Sequence, residues 1–170
     1  MGWNKFYKEH KFRKPSSFAV FASDYMMPWE KQAVDLGCGE GRDVRYLESQ
    51  GILIHGIDKA FDYSIEDYIE DFDPPYYVYT RFLWHSIDRK LQLKILKWVK
   101  DYIFIEARTT EDKPKNVYGP HKRNLVNVPQ LIKDLKKCNF QILYLHEGKG
   151  LSKHKGEDPH LVRIITKKYE

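Results

Sequence analysis

Cysteine is scarce: the 170 residues contain two, Cys38 and Cys138, far apart in the chain. Two distant thiols exclude a disulfide framework and the paired spacing of a cysteine-ligated metal, and they suit a reducing compartment. Long apolar runs are missing as well. The start, MGWNKFYKEHKFRKP, has no stretch of signal-peptide length, and no later segment approaches a membrane span. These absences predict a cytoplasmic protein without a membrane segment. The seven histidines show no H-x-x-x-H spacing, so no metal is expected. Internal repeats and low-complexity tracts are absent too.

What is present is ordinary for one globular domain. Hydrophobic residues make up 42% and charged residues 31%, a balance that supports a core without staples. The length predicts a single domain over residues 1–170, with residues 1–30 as an N-terminal cap segment. The net charge of +5 fits an anionic partner but equally a solvated surface. Aromatics, at 15% with twelve tyrosines, suit either core packing or stacking on a ligand.

Hydrophobic periodicity sets out the elements. Phe18, Ala19 and Phe21 follow Pro15-Ser16-Ser17 as a short helix. A buried strand at residues 32–36 is closed by glycine, residues 40–49 form a helix, Gly51 stops it, and residues 52–57 form a second strand. Strand, glycine turn, helix and strand make a βαβ unit, which requires parallel strands and a right-handed crossover. The acidic stretch 58–73 shows no long helix pattern. Further strands are expected at 76–80 and 102–107, with a helical stripe over 87–99 between them. Residues 108–128 read as a loop and 129–137 as a helix with proline in its first turn. Two final strands, 140–146 and 160–166, are joined by residues 147–159. The whole predicts an α/β fold: a mostly parallel central sheet with an antiparallel C-terminal strand and a reduced region after the second strand.

The chemistry concentrates in Val34-Asp35-Leu36-Gly37-Cys38-Gly39-Glu40-Gly41. Its glycines let the chain turn sharply and let a ligand approach the main chain. The helix start behind them offers free N–H groups to an anion. Asp35 offers a carboxylate to a cationic group, and Asp58, after the second strand, stands where Rossmann-type domains bind ribose hydroxyls.

The run VDLGCGEGRDVRYL resembles the first motif of class I S-adenosylmethionine-dependent methyltransferases. The resemblance implies a Rossmann-like fold, S-adenosylmethionine as cofactor, and Asp35, Gly37, Cys38, Gly39 and Gly41 around its methionine half. It also implies Asp58, with neighbouring Lys59, at the ribose. YYVYTRFLWHSI resembles the family's fourth strand and the turn after it, which brings Thr80 and Arg81 to the cofactor. EDPHLVRIITKK and Pro15-Ser16-Ser17-Phe18-Ala19 resemble a small subset encoded among polysaccharide-synthesis genes of bacteria and algal viruses. This implies O-methylation of a sugar hydroxyl on a glycan or nucleotide-sugar, with Ser16 at the cofactor carboxylate. Adenine contact falls to Asp67 or Asp71.

Methyl transfer to a hydroxyl needs alignment and removal of a proton. His85, after the fourth-strand segment, is the candidate base. Glu106 and Arg108 alternate on one face of the next strand, as a base and an anion clamp or as a plain ion pair. His121, His154 and His160 are further candidates. An alternative is a nucleic-acid methyltransferase, since Asp73-Pro74-Pro75-Tyr76 spells the DPPY motif of adenine-amino enzymes. Its position before a strand rather than after one argues against that use, and the prolines suit a strand entrance.

Overall fold

The computed structural model describes residues 14–61, 63–112, 123–153 and 156–169; the candidates His121 and His154 lie outside them. The elements run α1 (Ser17–Ser23), β1 (Gln32–Leu36), α2 (Arg42–Ser49), β2 (Leu53–Ile57), a 3-10 turn (Lys59–Phe61), α3 (Ile65–Asp71) and β3 (Tyr77–Arg81). Then come α4 (Arg89–Trp98), β4 (Tyr102–Arg108), α5 (Val128–Lys137), β5 (Phe140–Gly148) and β6 (Leu161–Lys168). The sheet order is β2-β1-β3-β4-β6-β5. β1 to β4 pair in parallel, and β6 runs antiparallel between β4 and β5.

Side chains alternate across each strand, so the sheet feeds two cores. On one face Val34, Leu36, Val78, Ile103, Ile105 and Ile164 pack against α3, α4 and α5. On the other, Ala33, Tyr77, Tyr79, Phe104 and Ile165 pack against α1 and α2 through Phe18, Ala22 and Leu47. Each fully buried large side chain here, such as Phe104 or Leu47, contributes about 1.5–3 kcal/mol. No helix among the described residues is long and apolar enough to cross a membrane.

The helices begin where side-chain oxygens can take their free amides. Ser16, Asp88 and Asn127 accept from Ala19, Leu91 and Gln130. The Asp88 cap moves the start of α4 two residues past the expected Ile87. The acidic stretch after Asp58 differs from the sequence reading, because it does hold a helix. Ser64 caps α3 by accepting from the Asp67 amide, and Ile65, Tyr68 and Ile69 turn one face inward. Seven residues are too few for a periodic stripe to stand out. No strand follows α3 before β3, so among the described residues β2 is the sheet's edge. The expected reduction is real: only a short turn and a two-turn helix stand between β2 and β3.

Candidate cofactor and acceptor crevice

The parallel strands β1, β2, β3 and β4 all end on one edge, where an α/β sheet binds its ligands. The glycine loop opens that edge. Gly37, Gly39 and Gly41 have φ of 80°, 58° and 74°, left-handed values that favour glycine. A Cβ on Gly37 would also meet Leu83 at 3.1 Å. The loop is fastened to β2: Gly37 donates to the Ile57 carbonyl (2.7 Å) and Gly39 to Asp58 Oδ2 (2.8 Å). Asp58 Oδ1 accepts from Ala60 N (2.8 Å). A cleft of about 280 Å³ lies here, lined by Cys38, Gly39, Glu40, Gly41, Val44, Gly56, Ile57, Asp58 and Tyr63. Burial, then the Asp35 charge, pushes the Cys38 thiol far above its ordinary range, so it stays protonated. Lys59 is exposed beside Asp58. A second cleft of similar volume lies between α4 and α5 and includes none of the glycine-loop residues.

Asp35, next to last in β1, is buried. Its Oδ1 is the one buried side-chain oxygen or nitrogen among the described residues without a hydrogen-bond partner. Burial, and then the neighbouring Asp43 carboxylate, raises its carboxyl well above the carboxylate range. An orphaned carboxyl oxygen beside a glycine cradle fits the ammonium of an aminoacyl ligand, and a carboxylate after β2 fits a ribose diol. The donor set therefore suits S-adenosylmethionine.

Asp43, in the first turn of α2, ties this region together. It accepts from Ser16 N (2.9 Å), Ser16 Oγ (2.7 Å) and the Tyr79 hydroxyl (3.1 Å). Burial would raise its carboxyl, but the Arg42 guanidinium at 2.9 Å holds it below the usual range. Ser16 thus stands against α2, with its hydroxyl committed to Asp43 and to the α1 cap. Asp43 and Tyr79 escaped the sequence reading. Asp43 lies inside the recognised run, but only the fold brings Ser16 to it.

The predicted catalytic residues are differently employed. Glu106 is fully buried, with Oε1 accepting from Arg81 Nε (2.9 Å) and Oε2 from Arg163 Nε (2.6 Å). Register aligns the three, Arg81 opposite Glu106 opposite Arg163. A carboxylate clamped by two guanidiniums acts as a structural anchor, and both oxygens that the expected base would use are engaged. Nor does it pair with Arg108, which donates to Asp112 Oδ2 (2.8 Å) and both Glu157 oxygens (3.1 and 2.7 Å). Arg108, expected as the anion clamp, is already paired with two carboxylates.

His85, expected as the base, is engaged as well. Its Nδ1 accepts from Arg108 N (3.1 Å), so a neutral ring carries its proton on Nε2 and has no free lone pair. Burial, then the Arg108 and Arg123 charges, lowers its pKa to about 3. Thr80 is buried, its hydroxyl donating to the Phe104 carbonyl (3.0 Å). Arg81 also donates to Ser152 Oγ (2.8 Å), and Arg163 to the Leu151 carbonyl (2.8 Å) and Ser17 Oγ (2.7 Å). The Arg–Glu–Arg row thereby fastens the β5–β6 connection and α1 to the crevice edge. Arg163 and Ser152 were not foreseen.

Phe82, just past β3, has φ 60°, strained for a bulky residue. Its amide is held by the Glu106 carbonyl (2.8 Å), and its ring lies 4.1 Å from the Arg81 guanidinium carbon. His160 is part-buried at the start of the β6 side of this edge, with Nδ1 2.7 Å from Thr109 Oγ1 and 3.8 Å from Glu147 Oε1.

The adenine candidates are exposed. Asp67 accepts from Ser64 Oγ (2.6 Å) as part of the α3 cap, and Asp71 from the Tyr63 hydroxyl (2.6 Å). Tyr63, not foreseen, is the α3-side residue that lines the Asp58 cleft. Asp73-Pro74-Pro75-Tyr76 precedes β3 and so lies at the sheet edge opposite the crevice. The position that adenine-amino enzymes require is not met.

No protein-family model and no curated protein matches the sequence. Solved structures match the fold closely. TehB from Haemophilus influenzae superposes with a TM-score of 0.70 at 16% identity, over 96% of this chain and 66% of TehB. A SAM-dependent methyltransferase from Methanosarcina mazei gives 0.69 at 16%, over 87% and 96%. The Burkholderia thailandensis 1,6-didemethyltoxoflavin-N1-methyltransferase, solved with S-adenosylhomocysteine, gives 0.64 at 13%, over 91% and 77%. The chain has the Rossmann-like α/β fold of these structures, two of which are methyltransferases.

Proposed function

We propose that this chain is an S-adenosylmethionine-dependent methyltransferase. The observation that carries the reading is the enclosed, unpartnered Asp35 oxygen beside three left-handed glycines, with the Asp58 carboxylate across the same loop. In this reading Asp35 takes the ammonium group, the loop from Gly37 to Gly41 wraps the methionine half, and Asp58 exchanges its Gly39 bond for the ribose hydroxyls. Tyr63 covers the nucleoside side. The cofactor supplies an activated methyl group; the chain's work is to align the acceptor and exclude water.

The acceptor we favour is a sugar hydroxyl on a glycan or nucleotide-sugar, supported by the sequence likeness of the β6 region and of residues 15–19. With His85 and Glu106 committed to structure, proton removal passes to His160. In the tautomer whose Nδ1–H donates to Thr109 Oγ1, Nε2 is free to accept the acceptor's proton. The nucleic-acid reading loses its main support with the position of Asp73–Tyr76.

Methyl-labelled cofactor offered with neutral sugars, nucleotide-sugars and oligonucleotides tests the assignment. Label entering sugars supports it, and label entering oligonucleotides alone overturns the acceptor class. His160→Gln should then lower turnover by about 10²–10⁴ while S-adenosylhomocysteine affinity is unchanged. Unchanged turnover removes His160 from the role.

A further inference from the structure

One guanidinium at the crevice edge is left over. Residues 123–126 are pinned against the end of β4: Asn124 N donates to the His85 carbonyl (2.8 Å), Val126 N to the Arg108 carbonyl (3.0 Å) and Thr110 N to the Val126 carbonyl (3.0 Å). Thr109 and Val126 form a parallel bridge. The segment therefore holds Arg123 near Arg108 and His85, on the edge where the strands meet their ligands.

Arg108 is answered by Asp112 and Glu157. Arg123, half-buried, makes no hydrogen bond or ion pair with any described residue. The ten preceding residues, 113–122, contain no aspartate or glutamate. Burial, and then the like charge of Arg108, lowers its proton affinity; the attraction of Glu157 and Asp112, both already bonded to Arg108, offsets this only in part, and an arginine keeps its charge. A partly desolvated guanidinium with no hydrogen-bond acceptor among the described residues leaves its donors to an incoming anion.

We propose that Arg123 binds an anionic group of the methyl acceptor, a carboxylate or a phosphate, at the carboxyl end of β4. The planar fork of a guanidinium suits both anions, bidentately. β4 lies two strands from β1 in the sheet, roughly 10 Å at ordinary strand spacing, which separates this point from the glycine loop. The Phe82 ring, 6.0 Å from the Arg108 guanidinium carbon, supplies an apolar surface on the same edge. An acceptor sugar bearing a uronate or a phosphate has the matching chemistry. The inference rests on the methyltransferase reading and narrows its substrate class.

Calorimetric titration tests it with protein saturated by S-adenosylhomocysteine. The probes are glucuronate, glucose 1-phosphate and neutral glucose, each taken into the millimolar range. The unaltered chain should bind one or both anions and not glucose, and the arm that binds identifies carboxylate or phosphate. Arg123→Gln should weaken that binding by about tenfold or more, Arg123→Lys by less, and the control Lys90→Gln not at all. S-adenosylhomocysteine affinity should be the same in every variant. Failure of both anions to bind overturns the proposal, as does equal binding by Arg123→Gln. A loss of S-adenosylhomocysteine affinity in Arg123→Gln also overturns it, by giving the guanidinium to the cofactor's carboxylate. Absence of S-adenosylhomocysteine binding to the unaltered chain overturns instead the methyltransferase reading beneath it.

Discussion

At the crevice edge, single side chains carry charges that the fold has already spent on one another. Glu106 is the clearest: with both oxygens held by guanidiniums and no exposure, its replacement leaves two buried cations facing a neutral group. Glu106→Gln should cost about 3–5 kcal/mol, read as a lower urea midpoint with an unchanged slope. His85 gives a pH signature. Its folded pKa, about 3, lies below the unfolded value near 6.5. The unfolded chain therefore binds the extra proton between those values. Stability from His85 is full above roughly pH 6.5 and is lost as pH falls toward 3, by as much as about 4 kcal/mol. His85→Asn should flatten that acid decline in a series of denaturation curves; an unaltered decline would place the titration elsewhere. The residue types at the site were legible in the sequence, but their employment was not. That Glu106 meets Arg163, fifty-seven positions on, depends on the register of non-adjacent strands, which no local pattern encodes.

Elements were read more securely than side chains, because periodicity and turn residues act locally. The βαβ opening, the α4 stripe and the final antiparallel pair all follow from apolar spacing with glycine or proline at the breaks. The misses have physical causes. α3 is too short for a stripe to emerge from an acidic background, and it is carried by the Ser64 cap and three buried side chains. α1 depends on a contact far away in sequence: Ser16 caps it while donating to Asp43. Ser16→Ala removes both and should lower stability by about 1–2 kcal/mol. Loss of α1 protection in hydrogen exchange, with the strands unaffected, would mark the effect as local. Protection lost evenly over the sheet would mean that the cap is not what Ser16 contributes.

Across the whole molecule, two cores enclose a six-stranded sheet, and the groups assigned to a ligand gather at one edge. There lie the glycine loop, the orphaned Asp35 oxygen, the strained Phe82, the Arg–Glu–Arg row and Arg123, which has no partner among the described residues. The opposite edge holds the Asp73–Tyr76 segment, and Trp29 and Asn139 there also have positive φ, 61° and 63°. Strain alone therefore does not mark the ligand edge; the unsatisfied buried oxygen beside the glycines does. Calorimetry with S-adenosylhomocysteine examines this most directly. The account predicts saturable binding at one site per chain, weakened by about 1–3 kcal/mol in Asp58→Ala. A folded chain that releases or absorbs no heat with this ligand, or an Asp58→Ala variant that binds it equally well, would contradict it.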